Sequence, residues 1–147
     1  MSEEQGPNLK MKARDAMSAL FAGGKAVGPS EAAQLVCRMI SQAARNEKDP
    51  RRSVADVCAG AMEGLILCGR PLPETALKIM ESLADISLIM RAGPQDLMTW
   101  VMEGIAEAAP LAGMKASAAI QQALEERYHG VGPLFASLCE KAKQTGK

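Results

Sequence analysis

Three stretches of this chain share one pattern. Asp96 to Gly104 (DLMTWVMEG), Asp56 to Gly64 (DVCAGAMEG) and, more faintly, Asp15 to Gly23 (DAMSALFAG) each open on Asp and close on Gly eight positions later. Apolar residues occupy matched places between. Successive copies stand 41 and 40 residues apart, counting Asp15, Asp56 and Asp96. A repeat of this length is long enough for one helical hairpin, and no single hairpin can bury its own apolar face. Copies must therefore cover one another.

The residues between and around the copies follow helical spacing. A first helix carries Leu9, Ala13, Ala16, Met17 and Leu20 on one face, with Asn8 as its cap and Gly23-Gly24 as its stop. Ser30 caps a second helix with the stripe Ala32, Leu35, Val36, Met39, Ile40 and Ala43, ended by Asp49-Pro50 because a residue before Pro is pushed out of the helical region. Ser53 starts a third helix, with Asp56 three residues on and an apolar surface from Val54 to Ile66, closed by Gly69 and Pro71. Pro73 and Glu74 open a fourth that runs to Gly93, and Pro94 opens a fifth with Asp96 in its first turn, broken at Pro110. A sixth ends at Tyr128, and a last one begins at Pro133 and frays into Lys141 to Lys147. No stretch alternates with period two. The pattern predicts an all-α fold of about seven helices, arranged as three stacked antiparallel hairpins plus a C-terminal helix over residues 9–144. Residues 1–8 are polar and are expected to be disordered. A compact helical bundle is the alternative arrangement.

The period and the pairing of helices resemble HEAT and armadillo arrays, whose units run roughly 40 residues. The resemblance covers most of the chain. It implies a scaffold whose surfaces bind peptides or proteins. The first copy departs from the other two, since Asp15 lies mid-helix and Ala22 replaces the Glu found at 63 and 103.

Charge narrows the function classes. The formal net charge is zero, but the signs are segregated. Residues 9–52 carry nine basic and four acidic side chains, residues 53–126 carry four and ten, and the tail from Arg127 is basic again. Such a dipole can steer a protein partner or a second copy of the chain. The basic run from Arg45 to Arg52 has no aromatic neighbour on which a base could stack, so nucleic acid is not an expected partner. No apolar run reaches the ~20 residues needed to span a bilayer, and the leading residues lack the features of a signal peptide, so a cytoplasmic protein without membrane contact is expected. Cys37, Cys58, Cys68 and Cys139 form no Cys-x-x-Cys pair and fall in apolar patterns, as expected of buried free thiols in a reducing compartment.

The residues singled out for partner binding are Asp56 and Glu63 on the third helix and Asp96, Trp100, Glu103 and Glu107 on the fifth. Seven and eleven residues nearly complete two and three helical turns, so each set shares one face. Neither Ser53–Gly69 nor Pro94–Ala109 contains a Lys or Arg, so side by side these helices would present a purely acidic ridge around an aromatic ring. That ridge suits a basic partner or the chain's own basic segment, with Lys10, Lys12, Arg14 and Arg38, in a homo-oligomer. Gly60 and Gly64, one turn apart, read as a close helix crossing, with Trp100 as a candidate to fill the notch at Gly60. No grouping of catalytic residues stands out, no metal site or cofactor is expected, and lone His129 reads as a helix-end residue. The expectation is a non-enzymatic interaction or scaffold module. The alternative is a small apolar-ligand binder with a pocket lined by Met62, Met80, Met90, Met98, Met102 and Met114.

Overall fold

The structure, a computed structural model, describes residues 9–22, 27–46, 49–90 and 92–145. Within them it is all-helical: α1 (Leu9–Ala22), α2 (Pro29–Asn46), α3 (Pro50–Leu67), α4 (Leu72–Glu81), α5 (Leu83–Met90), α6 (Pro94–Ala108), a short 3-10 helix (Ala109–Ala112), α7 (Met114–Arg127) and α8 (Val131–Thr145). No strand occurs among the described residues. The expectations placed on residues 1–8, on the Asn8 cap and on Gly23-Gly24 fall outside them.

Local chemistry sets the helix ends, and in several places it moves them from where the sequence pattern puts them. Pro50 is the first residue of α3 rather than only the stop of α2. Its missing N–H is one that a helix start leaves unpaired anyway, and the Asp49 carboxylate accepts from the Arg52 backbone N–H at 3.2 Å. Arg51 and Arg52 therefore belong to the first turn of α3, which begins three residues before the expected start at Ser53. At the start of α2, the Glu31 carboxylate accepts from the Gly28 N–H at 2.9 Å, half of a capping box. The expected fourth helix is broken into α4 and α5 at Ser82, whose ψ of 0° departs from helical geometry and whose hydroxyl donates to the Lys78 carbonyl at 3.0 Å. That break makes eight α-helices among the described residues where about seven were expected. Helix α8 starts at Val131, ahead of Pro133, because Pro is tolerated within a first turn.

The packing forms two rows. In one, α1 lies on α3, α3 on α6 and α6 on α8. In the other, α2 lies on α4 and α4 on α7, with α5 touching α2 and α6. Chain neighbours α1 and α2 touch far less than α1 and α3 do. Helix α3 is the centre of the molecule: Val54, Val57, Cys58, Ala59, Gly60, Ala61, Met62, Gly64 and Leu65 are all buried, because a helix flanked on both sides has no solvent face along most of its length. Met17, Met62, Leu65, Ile79, Met102 and Phe135 are among the large side chains that fill the core, each contributing roughly 1.5–3 kcal/mol by burial.

The glycines explain how closely the first row packs. A Cβ at Gly60 would overlap the Lys10 carbonyl oxygen and stand 2.9 Å from the Ala13 Cβ. At Gly64 it would stand 2.7 Å from the Arg14 carbonyl oxygen and 2.8 Å from the Met17 Cβ. At Gly104 it would overlap the Ala55 carbonyl oxygen and stand 2.7 Å from the Cys58 Cβ. Gly64 and Gly104 are the closing residues of the second and third copies. Each meets the residues one before and two after the opening Asp of the copy before it, Arg14 and Met17 in one case, Ala55 and Cys58 in the other. The same contact is made twice in the same register. The close crossing expected at Gly60 and Gly64 is there, but α1 fills the notch at Gly60, not Trp100. Trp100 takes the place of Gly60 in the third copy. An indole cannot enter a crossing as close as that one, and its ring lies half-buried at the edge of the core.

Candidate functional site: the charged face of α1, α3 and α6

The six residues singled out for partner binding lie on α3 and α6, which pack side by side, and α1 brings cations to them. Lys10 Nζ lies 2.5 Å from Glu107 Oε2 and 3.7 Å from Glu63 Oε2. Arg51 grips Glu103 with two donors, Nε to Oε1 at 3.0 Å and Nη2 to Oε2 at 2.5 Å, the bidentate geometry that suits guanidinium and carboxylate. Arg52 Nε is 3.6 Å from Asp56 Oδ2, one helical turn away. Asp96 is exposed in the first turn of α6, where the helix dipole favours an acid. The purely acidic ridge is thus corrected to a ladder of alternating sign. The cations come from α1 and from the first turn of α3, outside the two segments whose lack of Lys and Arg suggested an acidic surface.

The ladder follows the repeat. Lys10 and Arg51 each stand five residues before the opening Asp of their copies, and Glu63 and Glu103 each stand seven residues after theirs. Lys10 with Glu63, and Arg51 with Glu103, are therefore the same ion pair made between successive copies. Arg91 holds the corresponding place in the third copy and lies outside the described residues. Ala22 replaces the Glu in the first copy, and no helix among the described residues precedes α1 to offer it a cation. This signal was present in the sequence. Aligning the copies five residues upstream of each Asp exposes Lys10, Arg51 and Arg91 as a basic column in the sequence, beside the column of Glu63 and Glu103.

Electrostatics support the pairing. Partial burial pulls the Lys10 pKa down, but the hydrogen bond to Glu107 and the charges of Glu107, Glu63 and Asp56 outweigh it and leave the pKa raised. The hydrogen bond and charge of Glu103 raise the Arg51 pKa. In the second row, Arg127 Nη2 reaches Glu81 Oε2 at 2.7 Å, joining α7 to α4. Where α1 ends, the Arg70 guanidinium lies 4.7 Å from the centre of the Phe21 ring.

The face ends in an apolar hollow of about 250 Å³, lined by Arg14, Glu63, Ile66, Leu67 and Leu111. Leu67 is 71% and Leu111 66% exposed, unusual values for leucine. A second open hollow of about 210 Å³ lies between α7 and α8, beside Met114 and Cys139. Met62, Met80 and Met102 are buried in the core, Met98 is packed at its edge and Met114 is exposed. The side chain of Met90 is outside the described residues. All four cysteines are free thiols. Cys58 and Cys139 are buried and Cys37 and Cys68 half-buried, and burial pushes the thiols of Cys37 and Cys58 up. His129 is exposed in the turn between α7 and α8. Among the described residues, no group of three or more His, Cys, Asp or Glu side chains is placed to hold a metal ion, and no helix is long and apolar enough to cross a membrane.

Comparison with protein-family models, characterised proteins and solved structures finds no match to this chain.

Proposed function

We propose that this protein is a non-enzymatic protein-interaction module, built from stacked helical hairpins in the manner of HEAT and armadillo arrays and working in a reducing compartment such as the cytoplasm. The observation that carries the reading is the charged face of α1, α3 and α6. Its side chains stand on helices packed in a row, α1 on α3 and α3 on α6, rather than on loops, and its ladder of paired charges runs into the exposed Leu67 and Leu111. A rigid surface that sets apolar side chains beside charged ones is what protein interfaces use. The stacked-hairpin reading is supported by the glycine contacts and ion pairs repeated in register between copies, and by the two rows of helices.

The docking surface is the part of this face around Asp96 and Trp100, together with the outer edges of Glu103 and Glu107. It suits a partner segment that carries basic and apolar residues. The test is a pull-down from the source cell at low and high salt, with wild type beside Asp96→Lys. Asp96 is exposed, so the substitution leaves the fold intact. A protein retained by wild type at low salt, released at high salt and not retained by Asp96→Lys supports the reading. A wild type that retains nothing beyond what Asp96→Lys retains refutes it.

A further inference from the structure

We infer that the Leu67–Leu111 hollow is a self-association surface, and that its occupant is the same hollow on a second copy of this chain. The inference rests on the interaction-module reading and names a partner within it. Four observations lead to it. Leu67 at the end of α3 and Leu111 in the 3-10 helix are brought together from positions 44 residues apart in sequence, counting 111 less 67. Both are more than half exposed, although leucine side chains are normally covered. The half-buried Ile66 extends the apolar floor. Arg14 and Glu63, of opposite sign, line the same hollow.

The two signs select the occupant. A two-fold dimer presents the same patch from both sides, so each residue faces its counterpart's neighbourhood across the axis. A patch carrying one cation and one anion beside apolar side chains can meet its own two-fold copy with opposite signs in contact. Arg14 of one chain meets Glu63 of the other, twice, while the leucines pack at the axis. A purely basic or purely acidic partner would instead meet one like charge. The partners these two residues have within the chain leave this possible. Arg14 Nε sits 3.3 Å from Oδ1 of the exposed Asp15, and Glu63 is 3.7 Å from Lys10, which has a closer partner in Glu107. Both contacts are longer than the 2.5 Å pair of Lys10 with Glu107, and both side chains line the open hollow.

The test is sedimentation equilibrium of the full chain at low salt across a wide concentration range, with melting curves confirming that each variant folds. Wild type is expected to form dimers. Leu67→Glu and Leu111→Glu are expected to be monomers with near wild-type melting, since both side chains are already exposed. Arg14→Glu and Glu63→Arg each place like charges across the axis and should weaken the dimer about tenfold or more. An equimolar mixture of those two variants restores opposite signs at both contacts, and should dimerise as wild type does. A wild type monomeric at every concentration overturns the inference, as does a dimer unaffected by Leu111→Glu or a mixture no tighter than its components. If either charge variant fails to fold, the leucine variants decide. A monomeric wild type that still retains a partner in an Asp96-dependent way would sink this inference alone and leave the interaction module standing.

Discussion

Single residues decide how near the helices of the first row can come. Gly60, Gly64 and Gly104 each meet a backbone carbonyl of the neighbouring helix where a Cβ would stand. Backbone cannot rotate away as a side chain can, so even one added carbon must push the helices apart. Gly64→Leu is expected to cost ~3 kcal/mol or more by overpacking, lowering the melting temperature by roughly 10 °C in a chain of this length. Gly130 differs. It has φ of +93° and open space around it, so Gly130→Ala meets only the left-handed backbone penalty, about 1–2 kcal/mol. Gly64→Leu melting within a degree or two of wild type would remove the close-crossing account.

Glu125 acts at the same scale. Its carboxylate accepts from the backbone N–H groups of Gly130 (3.0 Å) and Gly132 (2.8 Å), and tethers the end of α7 to the start of α8. Those hydrogen bonds favour the ionised form and hold its pKa below the usual 4.5, with the nearby His129 as a smaller influence. A lowered folded pKa means stabilisation that is present above the usual carboxylate value and lost as pH falls through the folded one. Wild type should therefore melt above Glu125→Ala near neutrality, and the gap should close below about pH 4. A gap independent of pH would show that the side chain acts by packing instead.

Between elements, the ion pairs act as register marks more than as glue. Arg51–Glu103 and Lys10–Glu63–Glu107 each join two or three helices, and each has one well-wetted member beside more covered ones: Arg51 is 63% and Glu107 43% exposed, against 19% for Glu103 and 21% for Glu63. Pairs of this kind contribute about 0.2–1 kcal/mol, less at high salt. A double-mutant cycle on Arg51→Met and Glu103→Gln, read by denaturant melts, should return a coupling within that range at low salt, and about none at 1 M salt. A coupling of several kcal/mol would mean that the pair is far better shielded than its exposure indicates. The break at Ser82 belongs to this scale too. It lets the end of one long helical stretch turn, and α5 touches both α2 and α6.

For the whole molecule, the segregation of charge along the chain is partly spent inside it. The basic N-terminal part lies against the acidic middle through Lys10, Arg51 and Arg52. Reversing Glu103 and Glu107 together, both to Lys, therefore has two consequences. It should weaken association through the face, and it should also lower stability by roughly 1–2 kcal/mol, because Arg51 and Lys10 each lose a partner and gain a like charge. Sedimentation and melting of the same sample separate the two. A double variant that melts as wild type does would contradict the ladder, whatever it does to association.

Much of this was legible from the chain itself because it is local. Helical faces, Pro and Gly punctuation and acids in first turns depend on residues three to eight apart, and those distances are fixed by the backbone. The repeat, too, was visible, and with it the need for one copy to cover the next. The helix that covers Gly60 was not, since a notch records that something must approach and not which element does. The sign of the ridge was misread for the same reason: a helix's own composition says nothing of the cations that a neighbour lays across it. Lys10 lies 97 residues from Glu107 in sequence and 2.5 Å from it in space, a pairing decided only by the order in which α1, α3 and α6 stack.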